Sequence, residues 1–376
     1  MSQVSSPGIV TSNLWAVRMA DSVLQSYPEG RWKWHYEHGL VVRAIAAVGD
    51  SSGEPRFQNF DRAWVDFFVA ENGTINTYRV NEFNLDQVCP GRLLFPLYRR
   101  TGDERYVSAI QHLRRQLREQ PRTPSGGFWH KQIYANQMWL DGLFMAGPFY
   151  AEYAVHFNEP AIFDDLTFQF ILMEQNARDP QTGLLYHAWD ETQLQKWANP
   201  ETGRSPHFWG RAIGWYAMAL VEVLDLLPTV HPQYSTLIEI LNRVASAMTC
   251  YQDANTGLWY QVVNLPERTG NYLESSVSAM MAYSLARAVR QGWLALEYLP
   301  AAQRAFRGLL ENKVRVDENG ALALDGICSV AGLGGNPYRD GSYEYYIKEP
   351  VVTNDFKGVG PFILAALEMD RLQNRA

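Results

Sequence analysis

Cysteine is scarce in this chain: Cys89, Cys250 and Cys328 are far apart and odd in number, which argues against a disulfide framework and leaves no CxxC metal spacing. That usage fits a reducing compartment. No apolar run approaches the roughly 18 residues of a membrane span, and the opening MSQVSSPGIVTSNLWAVRMADSV lacks a basic region followed by an apolar stretch. The expected location is therefore cytoplasmic. Basic clusters are missing as well, and a net charge of -7 disfavours a phosphate-tracking surface. The expected partner is a small molecule, with no nucleic acid and no membrane. Neither HExxH nor GxxxxGK[ST] occurs, and the glycines of GVGPF and GLGGNP follow no strand of a βαβ unit. No metal and no cofactor is expected.

What is abundant is aromatic. Twelve Trp, 20 Tyr and 17 Phe supply flat rings with polar edges, suited to a packed core and to stacking on sugar faces. Hydrophobic residues at 47% and charged residues at 19% are ordinary for a folded globule. At 376 residues the chain exceeds the usual single-core size, so one domain over residues 1–376 requires a repeat that builds a larger globule.

Such a repeat lies in the turns. ENGTINTY, SGGFWHK, DPQTGLLYH, DANTGLWYQ and ENGALAL carry Gly73, Gly127, Gly183, Gly257 and Gly320, spaced 54 to 74 residues apart, room each time for two helices. Six apolar segments rich in small residues alternate with them: HYEHGLVVRAIAAVG, LDQVCPGRLLFPLY, LDGLFMAGPFYAEY, WGRAIGWYAMALVEVL, SSVSAMMAYSLARAV and FKGVGPFILAALEM. Apolar nearly all round, they read as buried inner helices. Between them run amphipathic segments such as TGDERYVSAIQHLRRQLREQ, where Val107, Ile110, Leu113 and Leu117 recur at helical spacing. Further outer helices are expected to begin near Ser12, Arg56, Pro160, Pro232 and Pro300. Six inner and six outer helices predict an all-α fold, an (α/α)6 toroid whose closure covers the faces that an open solenoid, the alternative, would expose.

Aligning two inner segments brings out a pair of acids. Asp86 lies five residues before Gly91 and Asp141 five before Ala146, each in a Leu-Asp pair at the head of its segment, so neighbouring hairpins present them on one mouth of the ring. Capping is the plain alternative, since Asp accepts hydrogen bonds from a helix's first N–H groups. That reading stays open for Asp86. Asp141 stands among apolar residues in NQMWLDGLFMAG, where an ionised carboxylate is costly without a partner, and this favours function. The same mouth receives His35, Tyr36, His130, His187, Trp209 and Arg211. Two long connections, AWDETQLQKWANPETGRSPHF and Gly326 to Asp355, read as ordered lids over it.

With WHYEHG, NLDQVCPGRLL, FWHKQIYANQMWLDGLFMAGPF, YHAWDE, HFWGRAIGWYAMAL and CSVAGLGGNPYRDGSYEYYIKEPVVTNDFKGVGPF in order, the sequence closely resembles glycoside hydrolase family 105, the unsaturated rhamnogalacturonyl hydrolases, and more distantly the unsaturated glucuronyl hydrolases of family 88. The resemblance implies an (α/α)6 barrel that removes a 4,5-unsaturated galacturonyl residue from the non-reducing end of pectin fragments, with no metal. It implies Asp141 as general acid and base, Asp86 assisting at the pocket floor, and His187 beside the reacting ring. His35, Tyr36, His130, Lys131, Tyr134, Trp209, Arg211, Trp215 and Gly334 are the expected substrate-binding residues. The target is an enol ether: Asp141 protonates C4 and water adds at C5. A nearby Asp86 is expected to raise the Asp141 pKa so that the two share one proton. Arg211 is the expected partner of the substrate carboxylate, with His130, Lys131 and His187 as nearby donors. Three other readings compete: a sugar 2-epimerase working through His130 and His187, a glucuronyl hydrolase acting on another lyase product, and a non-catalytic carbohydrate-binding toroid.

Overall fold

The computed structural model describes residues 13–373. Ser12, near which the first outer helix is expected to begin, and most of the opening segment read for a signal peptide lie outside those residues. Along the chain the helices are α1 (Asn13–Ser26), α2 (Tyr36–Ser52), α3 (Pro55–Gln58), α4 (Phe60–Phe68), α5 (Leu94–Thr101), α6 (Glu104–Glu119), α7 (Leu140–His156), α8 (Ile162–Ala177), α9 (Gly210–Leu224), α10 (Tyr234–Cys250), α11 (Ser275–Gln291), α12 (Leu299–Asn312), α13 (Tyr343–Lys348) and α14 (Phe356–Gln373). Helices α2, α7, α9, α11 and α14, with the segment from Cys89 through α5, form the inner ring, and α14 packs back on α2 to close it. Outside, α1, α4, α6, α8, α10 and α12 each pack on an inner neighbour. The closed toroid is thus the observed architecture. Among the described residues no helix is long and apolar enough to cross a membrane.

Local chemistry accounts for the two kinds of helix. In α6 the Asp103 side chain accepts from the Arg105 N–H at 3.1 Å, and Tyr106, Ile110, Leu113 and Leu117 form the one buried stripe. In α9 every residue from Gly210 to Leu224 is buried, which suits a helix covered on all sides by ring neighbours and an outer helix. The five turns recur as one structure. Backbone N–H groups of Ala70, Thr123, Asp179, Asp253 and Asp317 donate to the carbonyls of Thr74, Gly127, Leu184, Leu258 and Ala321 at 2.8–2.9 Å.

Four details depart from the sequence reading. The second inner segment is not one helix: Leu85–Gln87 and Cys89–Leu93 are 3-10 turns, because Pro90 has no N–H to give and its ring obstructs the preceding turn. In the second turn Gly126, not Gly127, takes the left-handed conformation (φ 97°), while a Cβ on Gly127 would lie 2.1 Å from Met138 Sδ. Pro160 and Pro232 sit two residues ahead of α8 and α10. Short antiparallel ladders also punctuate the helices, among them β1 (Gln137–Trp139) with β2 (Ala188–Asp190), β3 (Trp259–Tyr260) with β4 (Leu273–Glu274), and a ladder pairing Ile327–Cys328 with Val351–Val352. The sequence GDSSG at 49–53 has the spacing of a nucleophile elbow, but it ends a helix, with Gly53 at φ 70°, and no strand precedes it among the described residues.

Ring closure depends on close approach at small residues. A Cβ on Gly39 of α2 would lie 2.8 Å from Pro90 Cα, a backbone atom with nowhere to retreat. Gly39→Ala is expected to cost about 1–3 kcal/mol in urea unfolding through overpacking. Gly30→Ala, where no atom lies within 4 Å of the added carbon, should leave stability unchanged.

Candidate active site

The Asp141 carboxyl is placed by a ladder that runs into a helix. Strand β1 feeds directly into α7, Trp139 pairs with Ala188, and the Leu140 N–H donates to the His187 carbonyl at 3.0 Å. That register sets His187 beside the next residue, so His187 Nε2 lies 3.3 Å from Asp141 Oδ2. The contact is close without being aligned as a hydrogen bond, and both atoms are buried with no hydrogen-bond partner among the described residues. The other ring nitrogen, Nδ1, is 2.8 Å from the Tyr346 hydroxyl. Full burial lowers the His187 pKa against the pull of Asp141, which keeps the imidazole neutral.

Asp86 sits in a different environment. It lies in the 3-10 turn Leu85–Gln87 and not at an α-helix start, and Asn84 supplies the cap by accepting from the Asp86 N–H at 3.0 Å. The Asp86 carboxylate is left to face one ammonium and two imidazoles: Lys131 Nζ at 2.5 Å, His130 Nε2 at 3.3 Å and His35 Nε2 at 3.7 Å. Burial works to raise the Asp86 pKa, but Lys131 and then His130 outweigh it and hold the group well below the usual carboxylate range. Asp86 is therefore ionised through the neutral range, and the expectation of one proton shared between the two aspartates gives way to a separate ion pair. Lys131 spends one of its three N–H donors on Asp86 and keeps a partly exposed ammonium at the mouth.

Aromatic rings join the two carboxyl groups. His130 stacks on Trp139 at 4.8 Å with planes 4° apart, Tyr134 stacks on the same indole at 4.6 Å, and His187 meets it at 5.2 Å. Gly142, which follows Asp141, packs against His130 and against Leu85, which precedes Asp86. Tyr36 lies within electrostatic reach of both aspartates and of Arg211, and burial with Glu37 raises its hydroxyl pKa well above the ordinary value. Its ring meets the edge of Trp215 at 5.9 Å, and Trp215 stacks on Phe144 at the buried floor. The structure thus gathers Asp86, Asp141, His187, His35, Tyr36, His130, Lys131, Tyr134 and Trp215 at one mouth.

Arg211 reaches the same mouth from the first turn of α9. Its guanidinium lies 4.8 Å from the Trp209 ring centroid, Nη1 donates to the Cys328 carbonyl, and Glu274 Oε1 is 4.0 Å away. Nε is buried without a hydrogen-bond partner among the described residues. Gly334 turns with φ 64° against Trp197, and it joins the site through Arg339, which hydrogen-bonds both the Gly334 carbonyl (2.9 Å) and the Tyr134 hydroxyl (2.6 Å).

Three side chains escaped the sequence reading. Glu274 is fully buried and caps α11 by accepting from the Val277 N–H at 2.8 Å, while also accepting from Ser276 and from the Cys328 N–H. Its signal was present: Leu273-Glu274 repeats the Leu-acid pairing at the head of a third inner helix. Tyr346 and Arg339 come from the lid, where no periodicity marks them.

A closed α/α ring with two differently paired carboxyl groups under an aromatic wall defines a toroidal carbohydrate-processing enzyme. Residues 15–373 match the model of Glycosyl Hydrolase Family 88. A solved family 105 glycoside hydrolase from C. acetobutylicum superposes with a TM-score of 0.93 at 44% identity, covering 95% of this chain and 99% of that one. Protein Atu3128 of Agrobacterium fabrum is 43% identical over 60% of this chain and 97% of its own length. The unsaturated rhamnogalacturonyl hydrolase YesR of Bacillus subtilis is 28% identical over 75% of this chain and 78% of its own length. The chain belongs to the family 88 glycosyl hydrolases and, within that relationship, to family 105. It is a hydrolase.

The ion pair under the site has a stability signature. Lys131→Met leaves Asp86 buried without its nearest counter-charge and is expected to cost about 3 kcal/mol in urea unfolding at pH 6. Because the folded-state Asp86 pKa is depressed, its contribution is present above the unfolded pKa, about 4, and is lost as pH falls through the folded value. The gap between wild type and variant should therefore narrow when the measurement is repeated at pH 3. A gap that widens on acidification would contradict this account.

Proposed function

We propose that the enzyme removes a 4,5-unsaturated galacturonyl residue from the non-reducing end of rhamnogalacturonan-derived oligosaccharides by hydrating the enol-ether double bond. The observation that carries this reading is the unequal pairing of the two acids. Asp86 is fixed as an anion by Lys131, whereas Asp141 faces only a neutral imidazole in a buried setting. One stable anion and one carboxyl group free to exchange a proton suit a hydration that needs a single acid and base. The named activity of the Bacillus subtilis relative supports the choice of substrate.

In this scheme protonated Asp141 gives its proton to C4, and the cation that forms is shared between C5 and the ring oxygen. Water attacks C5 and returns a proton to Asp141. The hemiketal then opens by breaking the bond from C5 to the ring oxygen, which leaves a ketone at C5 and a hemiacetal at C1. Collapse of that hemiacetal expels the partner sugar as an alcohol and leaves an aldehyde. Asp86, held negative, stabilises the developing cation, and Tyr36 and Trp215 provide the floor. Arg211, already oriented by Trp209 and Cys328, pairs through its free edge with the substrate carboxylate.

The proposed chemistry differs from retaining or inverting glycosidases in the atom that is protonated. Turnover in deuterium oxide should place one deuterium at C4 of the released uronate, seen by mass spectrometry and NMR; product without carbon-bound deuterium would rule out protonation at C4. Asp141→Asn should lower kcat about a thousand-fold while the protein stays folded, followed by loss of alkene ultraviolet absorbance. Arg211→Ala should raise KM more than it lowers kcat, and an unchanged KM would remove its carboxylate-binding role.

A further inference from the structure

We propose that Tyr346, on the lid helix α13, is a positioning residue that fixes which nitrogen of His187 carries hydrogen and thereby selects the Asp141 oxygen that delivers the proton. The inference rests on the reading of Asp141 as the acid. Tyr346 touches none of the reacting atoms and acts through His187.

A neutral imidazole has one N–H and one lone pair, so the partner at one nitrogen decides the role of the other. The Tyr346 hydroxyl lies 2.8 Å from Nδ1. Burial raises the Tyr346 pKa well above the ordinary phenol value, so the hydroxyl keeps its hydrogen. That hydrogen requires an acceptor in a buried site, and among the described residues Nδ1 is the one it meets. With Nδ1 accepting, Nε2 carries the hydrogen, and Asp141 Oδ2, itself without another hydrogen bond among the described residues, stands 3.3 Å from it. Oδ2 then serves as acceptor and the acidic proton resides on Oδ1, free to face the alkene. The opposite arrangement would turn the Nε2 lone pair toward Oδ2 and draw the acidic proton into an Asp141–His187 hydrogen bond, away from substrate.

Tyr346 is held well enough to impose this choice. Its ring lies parallel to Trp209, with centroids 6.0 Å apart and planes 26° apart. Its backbone carbonyl accepts from Gln261 Nε2 at 3.1 Å, and the Gln261 Oε1 accepts from Trp209 Nε1 at 3.1 Å. Ser342 caps α13 by accepting from the Tyr345 N–H, and the Tyr345 hydroxyl in turn accepts from the Gly332 N–H at 3.0 Å. The lid helix is therefore tied to the barrel through Gln261 and to the rest of the lid through Gly332.

The test pairs a tautomer measurement with kinetics on the full-length protein. Side-chain 15N NMR of uniformly labelled wild type, with the His187 signals identified by their loss in His187→Gln, should show hydrogen on Nε2 and none on Nδ1. Tyr346→Phe should convert His187 to a mixture of tautomers and lower kcat about 10- to 100-fold while KM stays within about two-fold, the size of effect seen when an orienting partner of a functional imidazole is removed. Hydrogen on Nδ1 in the wild type would overturn the proposal, as would an unchanged kcat in a folded Tyr346→Phe. If that variant fails to fold, the wild-type tautomer decides alone. Full activity in Asp141→Asn would instead strike the parent reading, which separates the two failures.

Discussion

Two carboxyl groups at one buried mouth cannot both be left to repel each other, and the contact between Lys131 and Asp86 resolves the conflict. A buried carboxylate pair ordinarily settles by keeping a proton between its members, which would make both acids weak and interchangeable. Placing an ammonium 2.5 Å from one of them breaks that symmetry. Asp86 becomes a permanent charge, and Asp141, with only the neutral His187 at its Oδ2, is distinguished from it by surroundings alone. His130 and His187 repeat the division. Each meets a different aspartate while both pack on the Trp139 indole, so one ring fixes the spacing of two chemically distinct pairs.

The irregular second inner segment gives Asp86 a setting that Asp141 does not share. Asp141 is the second residue of a continuous helix, whereas Pro90, which has no N–H to give, divides the segment around Asp86 into 3-10 turns. Asn84 caps the first of these turns, and the Asp86 carboxylate faces Lys131 and His130. The Gly39 contact with Pro90 lets α2 close on the broken segment, so the residue that interrupts the helix also forms part of the ring seam.

The sequence carried the ring more fully than the site. Six small-residue apolar segments and five glycine turns are signals of period and composition, which survive whatever the side chains do at the mouth, and the structure has them where the chain placed them. The Leu-Asp alignment that paired Asp86 with Asp141 works because equivalent hairpins repeat. The same alignment reaches Leu273-Glu274, a third buried acid that the reading passed over. Lys131's partner, and hence the ionisation of Asp86, was not legible: Lys131 lies in an irregular connection whose path depends on the β1–β2 ladder. Tyr346 was beyond reach for a related reason. Its hydroxyl meets a histidine 159 residues away, and nothing local in GSYEYYIKEP separates it from Tyr343 or Tyr345.

Charge balance links these local facts to the overall acidity of the chain. On the proposed reading a protein of net charge -7 receives an anionic sugar, and two of its lysines are already bound: Lys131 to Asp86, Lys357 to Glu37 and Asp355. Arg211 differs because its nearest acid, Glu274, stands 4.0 Å away and spends its oxygens on Ser276, the α11 N-terminus and the Cys328 N–H. The guanidinium is thus oriented by a carbonyl and an indole face without being neutralised in close contact, and its Nε remains unpaired. A substrate carboxylate that supplies this missing partner gains a hydrogen-bonded ion pair whose desolvation cost was already met in folding. On the proposed reading, binding at Arg211 and proton transfer at Asp141 fall to groups with distinct electrostatic surroundings, so that the same acidic mouth would hold an anion and protonate it.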